Sequence, residues 1–266
     1  PKIFHVNWFR TDDEGHFIWP GFGDNMRVLM WILARCEGKV DAVETAIGFE
    51  PKPEDINIEG LDIIAITDHI EWRPAEEEFA AYLNVEGKVE TDLNTPVRLA
   101  QKEAEYWDLF LIPGTEITRD GTDVGHFNAL FTVDNNKVYD PDPVQAIRNA
   151  KAQGALVMHN HPGWTKTSLD YTEVEKAAYD EGLIDGVEVA NGMEFYPKYI
   201  ERAQEKGLFV SANTDEHTAT SFDFGSQGYL RPMTLILAKD KSLESLREAM
   251  KAKRTLALAF DNLSGN

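Results

Sequence analysis

Histidines and carboxylates follow the apolar runs of this sequence at several places along the chain. One apolar run of strand length ends in Asp68 and His69, and a second ends in Glu116. A third run ends in His159 and His161. A continuous apolar run with β-branched residues is typical of a strand buried on both faces, as in a parallel sheet. Barrel enzymes carry their chemistry at the C-terminal ends of such strands, so the pattern predicts a functional site.

The residue types at these strand ends predict a site for divalent metal ions. Mixed imidazole and carboxylate ligands suit borderline to hard ions such as zinc, manganese or iron. A cluster of this size is expected to hold two or three ions, which generate hydroxide at neutral pH and clamp a phosphoryl group. The pattern makes the following residues candidates: His5, Asp68, His69, Glu116, His126, His159, His161, Asp215 and His217.

These residues also have structural interpretations. Asp68 could cap a helix, and Asp215 could close an Asx turn. His159 could be a core histidine, although residues 159 and 161 are expected to share one face of their strand. Glu116 is the hardest to interpret in this way, because a carboxylate that ends an apolar strand is costly unless it is paired or bound to metal. The combined pattern favours a metal site.

Strands and helices alternate along most of the chain, which predicts βα units and a mostly parallel sheet. One strand from His126 to Val133 is expected to pair antiparallel with the strand that ends in Glu116. Residues 37–60 are predicted to form a loop or an insertion. About seven units that close on themselves would give a (β/α) barrel. The expected helices lie near residues 96–108, 143–153, 172–182, 195–206 and 241–252.

The composition limits the classes of function. The 266 residues carry a formal net charge of -20, and no basic stripe is present to bind extended nucleic acid. The lone Cys36 allows no intrachain disulfide and favours a reducing, cytoplasmic compartment. No apolar run reaches about 18 residues, so no membrane span is predicted. The chain opens on Pro1 without a signal-peptide pattern, and the N-terminus is expected to be truncated. The oligomeric state stays open.

From residue 61 onward the motifs resemble those of PHP (polymerase and histidinol phosphatase) domains, in particular the stand-alone metal-dependent phosphoesterases of that family. The resemblance covers about residues 61–260. It implies an α/β fold, a distorted (β/α)7 barrel, and a hydrolase that acts on a small phosphate ester, such as a nucleotide or a sugar phosphate, through metal-bound hydroxide. The motifs are Thr67-Asp68-His69, Gly114-Thr115-Glu116-Ile117, Gly125-His126-Phe127-Asn128, Asn160-His161-Pro162-Gly163-Trp164, Gly186-Val187-Glu188 and Asp215-Glu216-His217.

The same resemblance implies roles for individual residues. Glu116 would bridge two ions and, with Asp215, take part in catalysis. Three side chains are candidates for contact with the substrate phosphate: Arg119, His159 and Lys166. The implied metal ligands are His69, Glu116, His161, Asp215 and His217, and His126 is implied either as a ligand or as a contact of the phosphate. His5 and Asp13, on and after the first strand, complete the set of predicted ligands.

The first strand departs from the PHP pattern. PHP domains open with His-x-His, whereas His5-Val6-Asn7 has an amide at the second position. An amide oxygen binds borderline metals poorly, so an alternative is a metal-binding barrel that is impaired in catalysis.

Residues 1–60 resemble a different family, the C-terminal part of GTP-dependent phosphoenolpyruvate carboxykinase. In that family aromatic residues at the positions of Phe9, Phe17 and Phe22 surround guanine, and an amide at the position of Asn25 hydrogen-bonds it. A guanine-nucleotide-binding fragment is therefore a further alternative, although the carboxykinase phosphate loop and metal ligands lie upstream in that family and are absent here. The leading interpretation is a mosaic: residues 1–266 form a single PHP-like barrel domain, in which the carboxykinase-like residues 1–60 supply the first βα unit.

Overall fold

The computed structural model of this protein divides the chain into two compact units. One unit comprises residues 1–62 and 216–230, and the other comprises residues 63–215 and 231–266. The predicted organisation as a single barrel domain stays a prediction. The structure describes residues 6, 31–33, 35–45, 48–50, 63–70, 91–106, 109–118, 124–164, 166, 168–217, 231–260 and 262–265.

The described residues of the first unit include a short helical stretch and a hairpin. Residues 31–33 and 35–36 are helical. Strands β1 (Val43–Thr45) and β2 (Gly48–Glu50) pair antiparallel. The hairpin lies within residues 37–60, which the sequence predicted to form a loop or an insertion. Its strands were not predicted, because strands of three residues are too short to show a hydrophobic period.

The second unit contains a seven-stranded mixed sheet. Its strand order is β3-β4-β5-β6-β7-β8, and β9 pairs with β7. The strands are β3 (Ile63–Ile66), β4 (Phe110–Ile117), β5 (Phe127–Leu130), β6 (Leu156–His159), β7 (Gly186–Asn191), β8 (Glu194–Phe195) and β9 (Phe209–Asn213).

Strand direction explains which residues meet at one edge of this sheet. The β3–β4, β6–β7 and β7–β9 pairs are parallel, while β5 pairs antiparallel with both β4 and β6. Five strands therefore point their C-terminal ends to the same edge. Because β5 runs in the opposite direction, the residue before β5 lies at that edge as well. The predicted antiparallel pairing of β5 is confirmed.

Five α-helices are described in the second unit, and each lies where the sequence predicted one. A separate antiparallel sheet has the order β10-β11-β12. The mixed α/β class is thus confirmed, whereas strands β11 and β12 were not predicted. These elements are α1 (Thr95–Tyr106), α2 (Pro143–Ala152), α3 (Glu173–Asp180), α4 (Lys198–Lys206), α5 (Leu243–Lys251), β10 (Met233–Ile236), β11 (Thr255–Ala259) and β12 (Asn262–Gly265).

Buried apolar side chains of the second unit form two clusters, one on each face of the seven-stranded sheet, because neighbours along β6 belong to different clusters. Fully buried side chains from its strands include Phe127, Val157 and Val187, and α2 and α4 contribute Ile147 and Tyr199. Removing such apolar area from water supplies most of the driving force for packing the helices on the sheet. Within the described part of the chain, no helix has the length and apolar content needed to cross a lipid bilayer.

Candidate functional site

Three of the predicted ligands converge at the edge of the sheet that the C-terminal strand ends share. Glu116, His126 and His161 each offer one ligand atom, and these atoms all lie within 4.8 Å of one another. The Nδ1 atom of His126 is 2.7 Å from Oε1 of Glu116. The imidazoles of His126 and His161 meet edge to face, with their ring centres 4.6 Å apart. These three residues are called the Glu116 cluster below.

Each member of the Glu116 cluster is placed by a different element. Glu116 lies near the C-terminal end of β4, His126 directly precedes β5, and His161 follows β6. The register pairs Ile117 with Phe127, so Glu116 and His126 are diagonal neighbours on the same face of the two strands. Glu116 is 4% exposed and His161 is 8% exposed. The cluster is therefore largely shielded from water.

His69 lies beside the cluster because the pairing of β3 with β4 continues past the end of β3. His69 and Glu116 form a parallel bridge, and the Ile70 amide donates to the Glu116 carbonyl oxygen at 2.9 Å. His69 Nδ1 is 4.0 Å from Glu116 Oε1 and 3.1 Å from the Thr118 hydroxyl. The contact with the Thr118 hydroxyl orients the imidazole ring. His69 is therefore a fourth side chain of the metal-binding type next to the three of the Glu116 cluster.

Asp215 approaches the cluster from the end of β9. Its Oδ2 atom is 3.8 Å from Nε2 of His161. Both residues have positive φ angles, 55° for Asp215 and 23° for His161. Positive φ angles are uncommon for residues other than glycine and persist where surrounding contacts hold the chain in place.

Glu188 supplies one of those contacts. Its buried carboxylate accepts hydrogen bonds from the His161 amide at 2.5 Å, from Asn191 Nδ2 at 2.9 Å and from Asn213 Nδ2 at 2.7 Å. Burial raises the pKa of Glu188 to about 8, although the three hydrogen bonds act against this rise. Glu188 thus joins the ends of β7 and β9 to the segment that carries His161.

The environment of His161 favours the form of imidazole that binds metal. Burial lowers its pKa, and the neighbouring His126 lowers it further. A neutral imidazole keeps a lone pair free for a cation. The donor set of one carboxylate and two imidazoles also matches the ligands that zinc and similar ions accept. The described side chains therefore fit a divalent ion.

Two predicted substrate contacts lie elsewhere. His159 is 1% exposed and stacks on Phe127, with the ring centres 5.1 Å apart. It lies on the face of the sheet that packs against α3 and α4. Residues 159 and 161 do not share a face, because β6 ends at His159 and the chain turns before His161. Lys166 Nζ bonds the Glu175 carboxylate. His159 is thus held in the core and Lys166 is held by Glu175, so neither side chain is presented at the Glu116 cluster.

Several predicted site residues cannot be placed at the cluster. His217 is assigned to the first unit, so its role as a ligand stays a prediction. The remaining residues lie outside those that the structure describes, and their roles stay predictions as well: His5, Asp13 and Arg119, and the guanine contacts Phe9, Phe17, Phe22 and Asn25.

Two side chains near the site had no predicted role. Trp164 is 51% exposed, and its ring lies edge to face with His126 and His161 at 5.6 and 5.4 Å. Glu175 is 1% exposed and contacts His159 and Lys166, which flank His161 in the sequence. The sequence marks Glu175 only as the last residue of a capping box with Thr172, a pattern that normally indicates an exposed helix start. Its burial could not be inferred from that pattern.

Comparison with known proteins finds a first similarity at the N-terminal end of the chain. Residues 1–105 match the family described as phosphoenolpyruvate carboxykinase C-terminal P-loop domain. The phosphoenolpyruvate carboxykinase [GTP] of Paenarthrobacter aurescens (strain TC1) is 67% identical over 63 residues, which are 24% of this chain and 10% of that protein. The cytosolic protein of the same name from Gallus gallus is 45% identical over 98 residues, 35% of this chain and 15% of that protein. The chain thus spans only a small part of these relatives.

The second similarity is to a solved structure. A two-domain protein from Bacteroides vulgatus ATCC 8482, described as containing a predicted PHP-like metal-dependent phosphoesterase, is 36% identical and superposes with a TM-score of 0.68. The match covers 77% of this chain and 58% of that chain. Both resemblances seen in the motifs are therefore confirmed. The chain combines a segment similar to GTP-dependent phosphoenolpyruvate carboxykinase with a larger part similar to a PHP-like protein.

Proposed function

We propose that this protein is a metal-dependent phosphoesterase that hydrolyses a small phosphate ester. The observation that carries the proposal is the convergence of Glu116, His126 and His161, whose ligand atoms lie within 4.8 Å of one another. The similarity to a protein described as containing a predicted PHP-like metal-dependent phosphoesterase supports it. We also propose that the sheet belongs to a (β/α)7 barrel of the PHP type.

The Glu116 cluster would hold the first ion, with His69 and Asp215 as neighbouring ligands for a second. The proposed complement is two or three ions of zinc, manganese or iron, for which His5, Asp13 and His217 stay predicted ligands. Divalent ions in such a site supply Lewis acidity, which lowers the pKa of water and neutralises charge on a phosphoryl group. Glu116 would hold its imidazole neighbours in place, and Trp164 would shield one side of the site from bulk water.

The charge of the protein supports a metal-assisted mode of substrate binding. The formal net charge is -20, and Lys166 is already bonded to Glu175. A phosphate dianion approaching this surface therefore needs cations other than the described lysine. Arg119 remains a proposed contact, and the substrate is a small phosphorylated molecule rather than an extended nucleic acid.

Metal content and hydrolysis test this proposal together. The purified protein is examined by elemental analysis and assayed with an aryl phosphate before and after chelation, and again after Mn²⁺ or Zn²⁺ is restored. We expect at least one bound ion per chain, and hydrolysis that chelation abolishes and metal restores. Hydrolysis that is unaffected by complete removal of metal would contradict the proposal.

Bound metal without turnover would favour the alternative of an impaired barrel. Asn7 occupies the position where the PHP pattern has a second histidine, so Asn7→His is the informative variant. Hydrolysis gained by this variant, with unchanged metal content at the Glu116 cluster, would assign the defect to the first strand.

A second candidate function is guanine-nucleotide binding by the N-terminal segment. The identity of 67% over 63 residues to a phosphoenolpyruvate carboxykinase [GTP] favours it. Titration of the protein with GTP in the presence of chelator tests this function separately from the metal site. Saturable binding that Asn25→Ala and Phe22→Ala weaken would support it, and no binding up to millimolar GTP would refute it.

A further inference from the structure

Glu175 is a buried carboxylate with more partners than a helix cap requires. Its Oε2 atom accepts the Thr172 amide at 3.0 Å, which completes the capping box of α3. Its Oε1 atom lies 3.1 Å from His159 Nε2 and also accepts a hydrogen bond from Lys166 Nζ. The side chain is 1% exposed. A buried carboxylate is tolerated only when several donors satisfy it, and here three donors from three segments do so.

Two of those donors flank one member of the Glu116 cluster, His161. His159 lies two residues before His161, and Lys166 lies five residues after it. The described residues between them, 160–164, are thus flanked on both sides by contacts to the same carboxylate. The Tyr199 hydroxyl donates to the Pro162 carbonyl oxygen at 2.7 Å and fixes the middle of this segment.

The segment before His126 contacts the same carboxylate. Gly125 has a φ angle of +85°, and a Cβ atom there would lie 2.9 Å from Glu175 Oε1. The Thr172 hydroxyl, itself part of the capping box, donates to the Val124 carbonyl oxygen at 3.3 Å. The N-terminal end of α3 therefore fixes the position of residues 124 and 125, which lead into His126.

The hydrogen-bond directions of this network are mutually consistent. The Tyr179 hydroxyl lies 3.1 Å from His159 Nδ1 and donates to it, which leaves the proton on Nε2 to be donated to Glu175. Burial lowers the pKa of His159, in keeping with a neutral ring. The negative charge of Glu175 is then balanced by Lys166 rather than by His159.

We propose that Glu175 is a positioning residue, which holds the segments of His126 and His161 at the separation that lets both imidazoles bind one ion together with Glu116. The metal-binding part of this inference rests on the proposed function. The ordering of the two segments does not, because it follows from contacts that the protein makes by itself.

Amide hydrogen exchange and Mn²⁺ titration test this role in the full-length protein. In Glu175→Gln we expect exchange at residues 124–126 and 160–164 to rise about tenfold or more, and the Mn²⁺ dissociation constant to rise about tenfold, as when the support of a metal ligand is removed. Lys166→Met should raise exchange only at residues 160–164. If Glu175→Gln does not fold, the Lys166→Met variant still tests the anchoring of residues 160–164.

Asp185→Asn is the matched control. Asp185 Oδ2 also accepts from a lysine, Lys151 Nζ at 2.5 Å, and from a backbone amide, Val157 at 2.8 Å, but at the opposite end of β6. Asp185→Asn removes a comparable structural contact away from the Glu116 cluster. It should lower the melting temperature but leave both the Mn²⁺ affinity and the amide exchange near the cluster unchanged.

Unchanged exchange in both segments of Glu175→Gln, or in residues 160–164 of Lys166→Met, would overturn the proposal. The same holds if Asp185→Asn weakens Mn²⁺ binding as much as Glu175→Gln does. A wild-type protein that binds no Mn²⁺ would instead refute the proposed function, and the exchange pattern alone would then decide the role of Glu175.

Discussion

Glu116 is the carboxylate on which the proposed metal site depends most. It is 4% exposed and lies 2.7 Å from His126 and 4.0 Å from His69. Glu116→Gln keeps the size of the side chain and removes its charge. Because loss of a group that merely supports a ligand costs about 10- to 100-fold in metal affinity, we expect hydrolysis to fall about 100-fold or more. Steady-state kinetics with an aryl phosphate and Mn²⁺ titration measure the two effects.

Glu103→Gln is the control for this change, because Glu103 is an exposed carboxylate on α1. It should leave both hydrolysis and Mn²⁺ affinity within about twofold of wild type. Full activity in Glu116→Gln would remove Glu116 from the metal site and with it the central element of the proposed function.

Glu175 also gives a pH-dependent contribution to stability. Burial raises its pKa, but the bonds from His159 and Lys166 outweigh burial and lower the pKa from 4.5 to about 2. Because the pKa is lower in the folded chain, this contribution is present above pH 4.5 and is lost as the pH falls from 4.5 towards 2. Glu175→Gln should therefore lose up to about 3 kcal/mol of unfolding free energy at pH 7, and progressively less below pH 4.5.

Urea unfolding of wild type and Glu175→Gln at pH 7, 5, 4 and 3 measures this difference. The groups that face the carboxylate, His159 and Lys166, are the same in both proteins. A stability difference that is constant from pH 7 to pH 3 would show that Glu175 contributes through shape alone.

At the scale of elements, the close approach of β7 and β9 depends on Gly186. A Cβ atom at this position would lie 2.3 Å from the ring of Phe209. Gly186→Ala should therefore destabilise the protein by about 1–3 kcal/mol, the usual effect of overpacking a core. The expected fall in melting temperature is roughly 2–4 °C for each kcal/mol.

A double-mutant cycle with Phe209→Leu separates this clash from a general loss of packing. Leucine is smaller than phenylalanine, so Gly186→Ala should cost less in the Phe209→Leu background than in wild type. The two substitutions would then be non-additive by about 1 kcal/mol or more. Strict additivity would show that the ring does not limit the spacing of the two strands.

The elements that could be predicted are those whose hydrophobic pattern is continuous. Strands β4, β6 and β7 are apolar runs, and the helices keep their apolar spacing. Strand β11 was missed because its inward residues are small, Ala257 and Ala259, whereas Leu256 and Leu258 point away from the core. Its hydrophobic pattern is thus the reverse of the usual one for a half-buried strand.

The residues of the site could be predicted as a list but not as an arrangement. A polar side chain at the end of a buried strand is visible in sequence, which identified Glu116 and His161. Which face a side chain takes depends on where the strand stops, and β6 stops at His159, so His159 turns into the core. The anchoring role of Glu175 depends on contacts between distant segments that no local pattern records.

At the scale of the whole molecule, a net charge of -20 raises the question of whether divalent ions bind at one site or diffusely. An ion that binds only the folded chain stabilises it by about 2.7 kcal/mol when its concentration is 100 times the dissociation constant. For a chain of this size that corresponds to a rise of roughly 5–10 °C in melting temperature. We expect Mn²⁺ to produce such a rise in chelator-treated wild type.

Glu116→Gln distinguishes the two modes of ion binding, because it changes the net charge only from -20 to -19 while removing the central carboxylate of the cluster. Diffuse binding to the acidic surface would stabilise wild type and variant alike, and would weaken as added salt screens the surface charge. Binding at the Glu116 cluster would stabilise wild type and leave the variant nearly unchanged at both low and high salt. Differential scanning fluorimetry across a Mn²⁺ series, at two ionic strengths, measures the difference. An equal rise in both proteins would assign the stabilisation to the charge of the whole molecule and not to the site.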